Sequence, residues 1–298
     1  MMKNRRQTTE KTMRAVFFCI ATASVAILFM IMAFLFMEGL PVFKVVSVKD
    51  FIFGKYWYPT SDPADFGIFP LIMASLYVTL LSSLIAIPLG VMTAVYLAEL
   101  ASKRVAEIVK PVVELLAALP SVVMGFFGMV IMAPFLQKVF GIPTGLNLFN
   151  AALMLAFMSI PTICSLSEDA IYSVPVGLKE GSLALGATHW ETIIRVVLPA
   201  SVSGISTAVI LGMSRAIGET MVVLMVAGGA AMIPGSIFDP VRPLPASIAA
   251  EMAEAPFRGD HYYALFATGI VLFVFTLIFN IVADFLSHRY RQVGEASL

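Results

Sequence analysis

Long stretches without Asp, Glu, Lys or Arg alternate along this chain with short charged intervals. Uncharged runs separate Arg14 from Glu38, Asp65 from Glu99, Glu114 from Lys138, Lys138 from Glu168, Arg195 from Arg215, Glu219 from Asp239 and Asp260 from Asp284. Each is about as long as the roughly 20 residues that carry an α-helix across a bilayer, or longer. Alternating strand-like segments are absent, which argues against a β-barrel. The pattern predicts an all-α, polytopic membrane protein with spans over about 14–37, 70–98, 112–135, 148–167, 200–228 and 262–287. The fifth is ambiguous: its two apolar runs flank Arg215 and Glu219, and read either as two helices or as one carrying a polar pair. The stretch AGGAAMIPGS after Val226 is a poor second span, and one helix gives an even total of six transmembrane helices.

The intervals order themselves around these spans. Residues 1–13 form a basic N-terminus, 38–69 an aromatic external segment, 70–287 the transmembrane core with a polar loop at 168–199, and 288–298 the C-terminus. Lys3, Arg5, Arg6, Lys11 and Arg14, then Lys103, Arg104 and Lys110, then Lys179 and Arg195, and finally Arg289 and Arg291 all fall on one side. The positive-inside rule makes that side, with both termini, cytoplasmic. In the external segment, Tyr56, Trp57 and Tyr58 read as an interfacial aromatic belt, or as part of a landing surface for an extracytoplasmic protein shared with 227–261.

Composition agrees: of 298 residues, 59% are hydrophobic and 13% charged, too few charges to solvate a soluble domain. The first apolar run, Ala15 to Met37, is long for a signal peptide and lacks a small-x-small cleavage site, so an uncleaved span is expected. Cys19 and Cys164 lie within apolar runs, and His189, His261 and His288 are scattered, so neither a disulfide framework nor a metal site is expected. With zero formal net charge, nothing points to nucleic acid. No catalytic constellation and no cofactor motif is present; in particular the chain lacks G-x-x-x-x-G-K-[ST], so ATP hydrolysis falls to another subunit.

One polar stretch between two spans, LKEGSLALGATHWETIIRVVLP at 178–199, cannot sit in lipid. Glu180, Gly181 and Ser182, then Gly186, then Leu198 and Pro199 are spaced for two short helices turned at a glycine, a lever suited to a partner's groove. Glu180 lies in a first turn, where the helix dipole favours a carboxylate; Pro199 fits the start of the following helix. The plainer interpretation is a solvated linker. This order of residues resembles the Glu-Ala-Ala loop of bacterial ATP-binding-cassette (ABC) importer permeases, with Gly181 and Ser182 in place of two alanines. The resemblance implies that the loop couples the bundle to an ATPase.

Arg215 and Glu219 are the second feature. Four residues apart on one helix they would share a face, and Arg215 would lie about 24 Å beyond Pro199. A structural ion pair is the plainer interpretation. Yet such a pair contributes only about 0.2–0.5 kcal/mol, too little to offset two desolvated charges, and intramembrane ionisable residues usually mark a transport path. Arginine offers planar, paired donors suited to an oxyanion, and a neighbouring carboxylate accepts a hydrogen bond from one that still carries a proton. Phosphate fits both.

The segment SRAIGETMVV (Ser214, Arg215, Glu219 and Thr220 among its residues), FGIFPLIMASLYVTL and ALPSVVMGFFG resemble phosphate-importer permeases of the Pst type, the PstC subunit in particular. The resemblance implies a MetI-like, type I ABC importer permease core in a bacterial or archaeal inner membrane, importing inorganic phosphate by alternating access. It implies a PstA-like permease partner, two PstB-like ATPases and a PstS-like phosphate-binding protein, and it places translocation at Arg215 and Glu219. Pro120, Ser121, Gly125 and Gly128 read as a gate or as helix packing. Alternatives are a permease for another oxyanion, the sister PstA subunit, or an ion-driven secondary transporter, which would not need the 168–199 loop.

Overall fold

A computed structural model describes the backbone of residues 2–295 and the side chains of 12–285. The basic residues Lys3, Arg5, Arg6, Lys11, Arg289 and Arg291 and the histidine His288 have side chains outside the described set. Among the described residues, six helical stretches are long and apolar enough to cross a membrane. The first is α1 (Met2–Gly39), followed by a 3-10 turn (Leu40–Lys44), a short α2 (Val48–Phe53) and a two-strand hairpin, β1 (Trp57–Tyr58) and β2 (Asp65–Phe66). The second is α3 (Phe69–Val95), extended by a π-helical turn (Tyr96–Leu100).

The core is built around α7 (Leu148–Tyr172), which lies against α3 and α10 (Leu198–Ile217). Small residues permit the approach. A Cβ on Gly90 of α3 would lie 2.8 Å from Ile163 of α7, and one on Gly212 of α10 would lie 2.5 Å from the same side chain. In lipid, where water expels nothing, such close van der Waals packing is what holds helices together. The last helix, α13 (Asp260–Glu295), packs on α10 and receives α1 on its outer side. The side chains of α1 described up to Met30 are all exposed, as a helix bathed in lipid requires.

Two breaks depart from the sequence expectation. The span expected at 112–135 is interrupted at Leu119 and Pro120, both extended with ψ of 133° and 137°. Proline drives its predecessor out of the helical region, and that ends α4 (Lys103–Ala118). The crossing stretch is Ser121–Phe140, formed by α5 (Ser121–Phe127), a π-helical turn (Gly128–Met132) and α6 (Ala133–Phe140). Asn150 of α7 holds the π turn by donating to the Gly128 and Gly145 carbonyls at 3.0 and 2.9 Å. The fifth span also divides: α10 stops at Ile217, and a separate α11 (Met221–Val226) follows. The chain then turns back through a bridge between Gly228 and Val241 into α12 (Leu244–Glu251).

The expected aromatic belt is corrected as well. Trp57 is 2% exposed, and its indole Nε1 donates to the Glu251 carboxylate at 3.0 and 3.1 Å. Glu251 also takes a guanidinium hydrogen from Arg242 and lies 2.8 Å from His261 Nε2. One carboxylate thereby ties the hairpin, α12 and the start of α13 together. Tyr56 and Tyr58 remain exposed.

Candidate functional site

Two regions carry the residues singled out by the sequence, one at an end of the bundle and one halfway across it. At the end, α7 continues through Glu168 and Asp169 to Tyr172, so the connecting loop starts at Ser173 rather than 168. There α8 (Val176–Ala184) and α9 (His189–Thr192) form a helical hairpin. Gly186 turns it with φ of +86°, a conformation that costs other residues a Cβ clash. Thr188 and Glu191 close a capping box: the Thr188 hydroxyl accepts from the Glu191 N–H, and the Glu191 carboxylate accepts from the Thr188 N–H at 2.9 Å. Ser182 meets Thr192 hydroxyl to hydroxyl at 2.9 Å, joining the two helices.

The hairpin's outer surface is apolar and open. Leu185 is 91% exposed and Trp190 57%, and no atom lies within 4 Å of where a Cβ on Gly177 or Gly181 would be. Glu180 is exposed beside Gly181. Small residues with nothing against them inside the chain suit close approach from outside. Beyond α9 the helix does not restart at Pro199; it runs on through a π-helical turn (Ile193–Val197) into α10, with Pro199 in the first regular turn. The wide turn accommodates a residue that has no N–H to donate. Leu198 and Pro199 thus lie within one helical stretch that starts at His189.

On the inner side, Lys110 of α4 lies 3.4 Å from the buried Glu168 and 3.9 Å from Asp169. Burial works against the Lys110 ammonium, but the carboxylates of Glu168, Asp169 and Glu114 outweigh it and raise its pKa. The Lys110 ammonium therefore stays charged through the neutral range.

Halfway across, the structure separates Arg215 from Glu219. Arg215, in the last turn of α10, is exposed and donates to the Thr162 hydroxyl of α7 at 3.3 Å. Thr162 is 14 residues into α7, about 21 Å along its axis, a depth well inside a bilayer. Next to Arg215, Ser214 donates to the side-chain oxygen of Asn280 on α13. Glu219 lies past the helix end, where its carboxylate accepts from the Met221 and Val222 N–H groups at 3.2 and 3.4 Å. Glu219 caps α11 and, among the described residues, no ion pair joins it to Arg215. The break follows from Gly218, a weak helix former, and from a carboxylate that satisfies N–H groups which lipid would leave bare. The Thr220 hydroxyl returns to the Gly218 carbonyl at 3.3 Å.

Arg215, Thr162, Ser214 and Asn280 thus form a polar strip along an open face of three spanning helices. Thr162 and Asn280 were not anticipated, since a lone polar side chain in an apolar run carries no periodic signal. Behind this region, α5 packs on α11. A Cβ on Gly125 would lie 2.7 Å from the Met225 sulfur, and one on Gly128 would lie 2.7 Å from Val226 and 2.8 Å from Met154. Pro120 and Ser121 lie at the start of α5, away from these contacts in sequence.

Residues 86–292 match the family described as the binding-protein-dependent transport system inner membrane component. The chain belongs to this family. Its members are membrane components of transport systems and not enzymes; they work with a substrate-binding protein and with separate ATPases. The chain is 38% identical to the probable ABC transporter permease protein YqgH of Bacillus subtilis, covering 97% of this chain and 94% of that one. It is 35% identical to the phosphate transport system permease protein PstC of Mesorhizobium japonicum, over 80% of this chain and 78% of that one. For PstC of Haemophilus influenzae the identity is 31%, over 89% and 91%. Among solved structures, a bacterial alginate ABC transporter in complex with its periplasmic protein superimposes with a TM-score of 0.65 at 18% identity, covering 92% of this chain and 94% of that one. The inward-facing MetNI methionine ABC transporter gives 0.60 at 18%, over 75% and 95%. The fold of this family member is the six-helix, MetI-like ABC importer permease, seated as a multi-pass protein in the inner membrane.

Proposed function

We propose that this chain is the PstC-type permease subunit of a phosphate importer, with the α8–α9 hairpin and both termini on the cytoplasmic side. Arg215 carries the reading. A guanidinium on an open, mid-membrane face is costly unless that face lines a water-filled path or a protein partner. Its paired donors suit an oxyanion, and the phosphate-transport relatives point to phosphate among the oxyanions. A PstA-like second permease covers the strip of Arg215, Thr162, Ser214 and Asn280, so that phosphate passes between the two subunits. Glu219 accepts a hydrogen bond from the proton that hydrogen phosphate retains as α11 shifts, and Thr220 lies beside it. Of two PstB-like ATPases, one docks on the surface formed by Glu180, Gly181, Leu185 and Trp190 and the other on the permease partner, and a PstS-like binding protein delivers phosphate at the opposite end.

Phosphate uptake into vesicles containing this chain, its permease partner, the ATPases and the binding protein tests the proposal. ATP-dependent uptake is expected, inhibited by arsenate and insensitive to sulfate. Arg215→Gln should lower uptake at least about tenfold, the loss of one charge-assisted contact of roughly 1.5–3 kcal/mol. Wild-type uptake in Arg215→Gln, or equal uptake of sulfate, would overturn it.

A further inference from the structure

Lys179 and Glu99 make an ion pair that joins the α8–α9 hairpin to the end of α3. Lys179 is next to Glu180 on α8, and Glu99 lies in the π-helical turn that ends α3. Eighty residues separate them, and the ammonium bonds Glu99 Oε1 directly. The carboxylate side chain is 8% exposed and the lysine 23%, so solvent screens the pair weakly. Removing one partner would leave the other charge part-buried and unmatched.

The remaining contacts of α8 make this pair stand out. None of its residues is buried, and its outer positions meet no atom of the chain. On its inner face, Leu178 touches the cluster of Ala94, Leu97, Cys164, Ile171, Val174 and Val197, Ser182 meets Thr192 of α9, and Lys179 reaches across to Glu99. Leu178 offers a contact that can slide. The ion pair is directional, and it ends on α3, the helix whose Gly90 lies hard against Ile163 of α7.

We infer that Lys179 and Glu99 are positioning residues that fasten the motor-docking helix to α3, so that displacement of α8 by an ATPase is delivered to the transmembrane bundle. This rests on the reading of α8–α9 as the docking lever. It assigns the pair to force transmission rather than to motor binding or substrate contact. Loss of either charge should leave the motor docked and hydrolysing while transport falls behind.

The assembled transporter in vesicles provides the test, with ATP hydrolysis and phosphate uptake measured together and ATPase co-elution recorded for each variant. Glu99→Gln and Lys179→Gln should retain co-elution, while phosphate moved per ATP hydrolysed falls about fivefold or more, the lower end of ordinary coupling effects. The charge-swapped double variant, Glu99→Lys with Lys179→Glu, should recover at least half of the wild-type ratio. Should the single variants fail to insert, the swapped variant decides: recovery of insertion and ratio supports the strut, and failure overturns it. An unchanged ratio in the single variants, or a swap no better than either, overturns it too. Loss of ATPase co-elution in the single variants would make Lys179 a docking contact and overturn the strut while keeping the docking reading. Failure of the wild-type chain to retain the ATPase would instead overturn the docking reading itself.

Discussion

Glu219 has two separable roles, because its carboxylate both carries charge and accepts from the Met221 and Val222 N–H groups. Glutamine keeps an acceptor oxygen at the same reach, whereas alanine removes it. Glu219→Gln should therefore keep the thermal midpoint of the purified protein while lowering phosphate uptake. Glu219→Ala should lower both, with a stability loss of about 1 kcal/mol for the missing cap. Equal midpoints in the two variants would show that the cap contributes nothing. At this scale the sequence was informative about which residues matter and silent about their company. Arg215 and Glu219 stood out by cost alone, but the assumption of one continuous helix placed them on a shared face. Hydropathy does not register a helix end when the flanking runs are equally apolar, and Gly218 alone did not announce one.

The α8–α9 hairpin shows how an element can be rigid while touching little. Gly186 at φ +86° sets the turn, and the Thr188–Glu191 box fixes the start of α9. Gly186→Val places a branched side chain in a left-handed conformation, at a cost of about 1–3 kcal/mol. The expected result is reduced retention of the ATPase on purification with unchanged insertion of the chain. Thr188→Ala should act in the same direction and more weakly, by about 1 kcal/mol. The hairpin was legible because its glycine, its Glu and its Leu-Pro lie in one short stretch. The tie from Lys179 to Glu99 was not, since a bond across 80 residues depends on how α3 and α8 meet. The same holds for Asn280 beside Ser214, 66 residues apart. The Leu119–Pro120 break carried its signal in the proline itself; the run of apolar residues around it outweighed that signal.

Across the whole molecule, the hairpin of Gly186 and the hairpin of Trp57 lie on connections at opposite ends of the spanning helices, and the proposed orientation assigns them opposite faces of the membrane. Cysteine labelling in intact cells checks this once Cys19 and Cys164 are replaced by serine. Tyr58→Cys, at an exposed position, should react with a membrane-impermeant reagent. Gly186→Cys should react only after the cells are opened. Labelling of Gly186→Cys from outside would invert the topology and remove the ATPase from its docking surface. The number and rough position of the spans could be read from charge-free runs, because crossing hydrocarbon is a local demand on composition. Burial of Trp57 could not, since a tryptophan near a membrane boundary usually stays at the surface, and it is the bond to Glu251, together with packing against Phe51, Phe66 and Leu244, that holds it inward.

The open strip around Arg215 has a further consequence for how the cell handles this chain. In the proposed assembly, a copy made without its permease partner would turn a permanent cation toward acyl chains that cannot solvate it. Such a molecule should be cleared faster than the assembled one, so the half-life of this chain expressed alone should be shorter than that of the chain expressed with its partner.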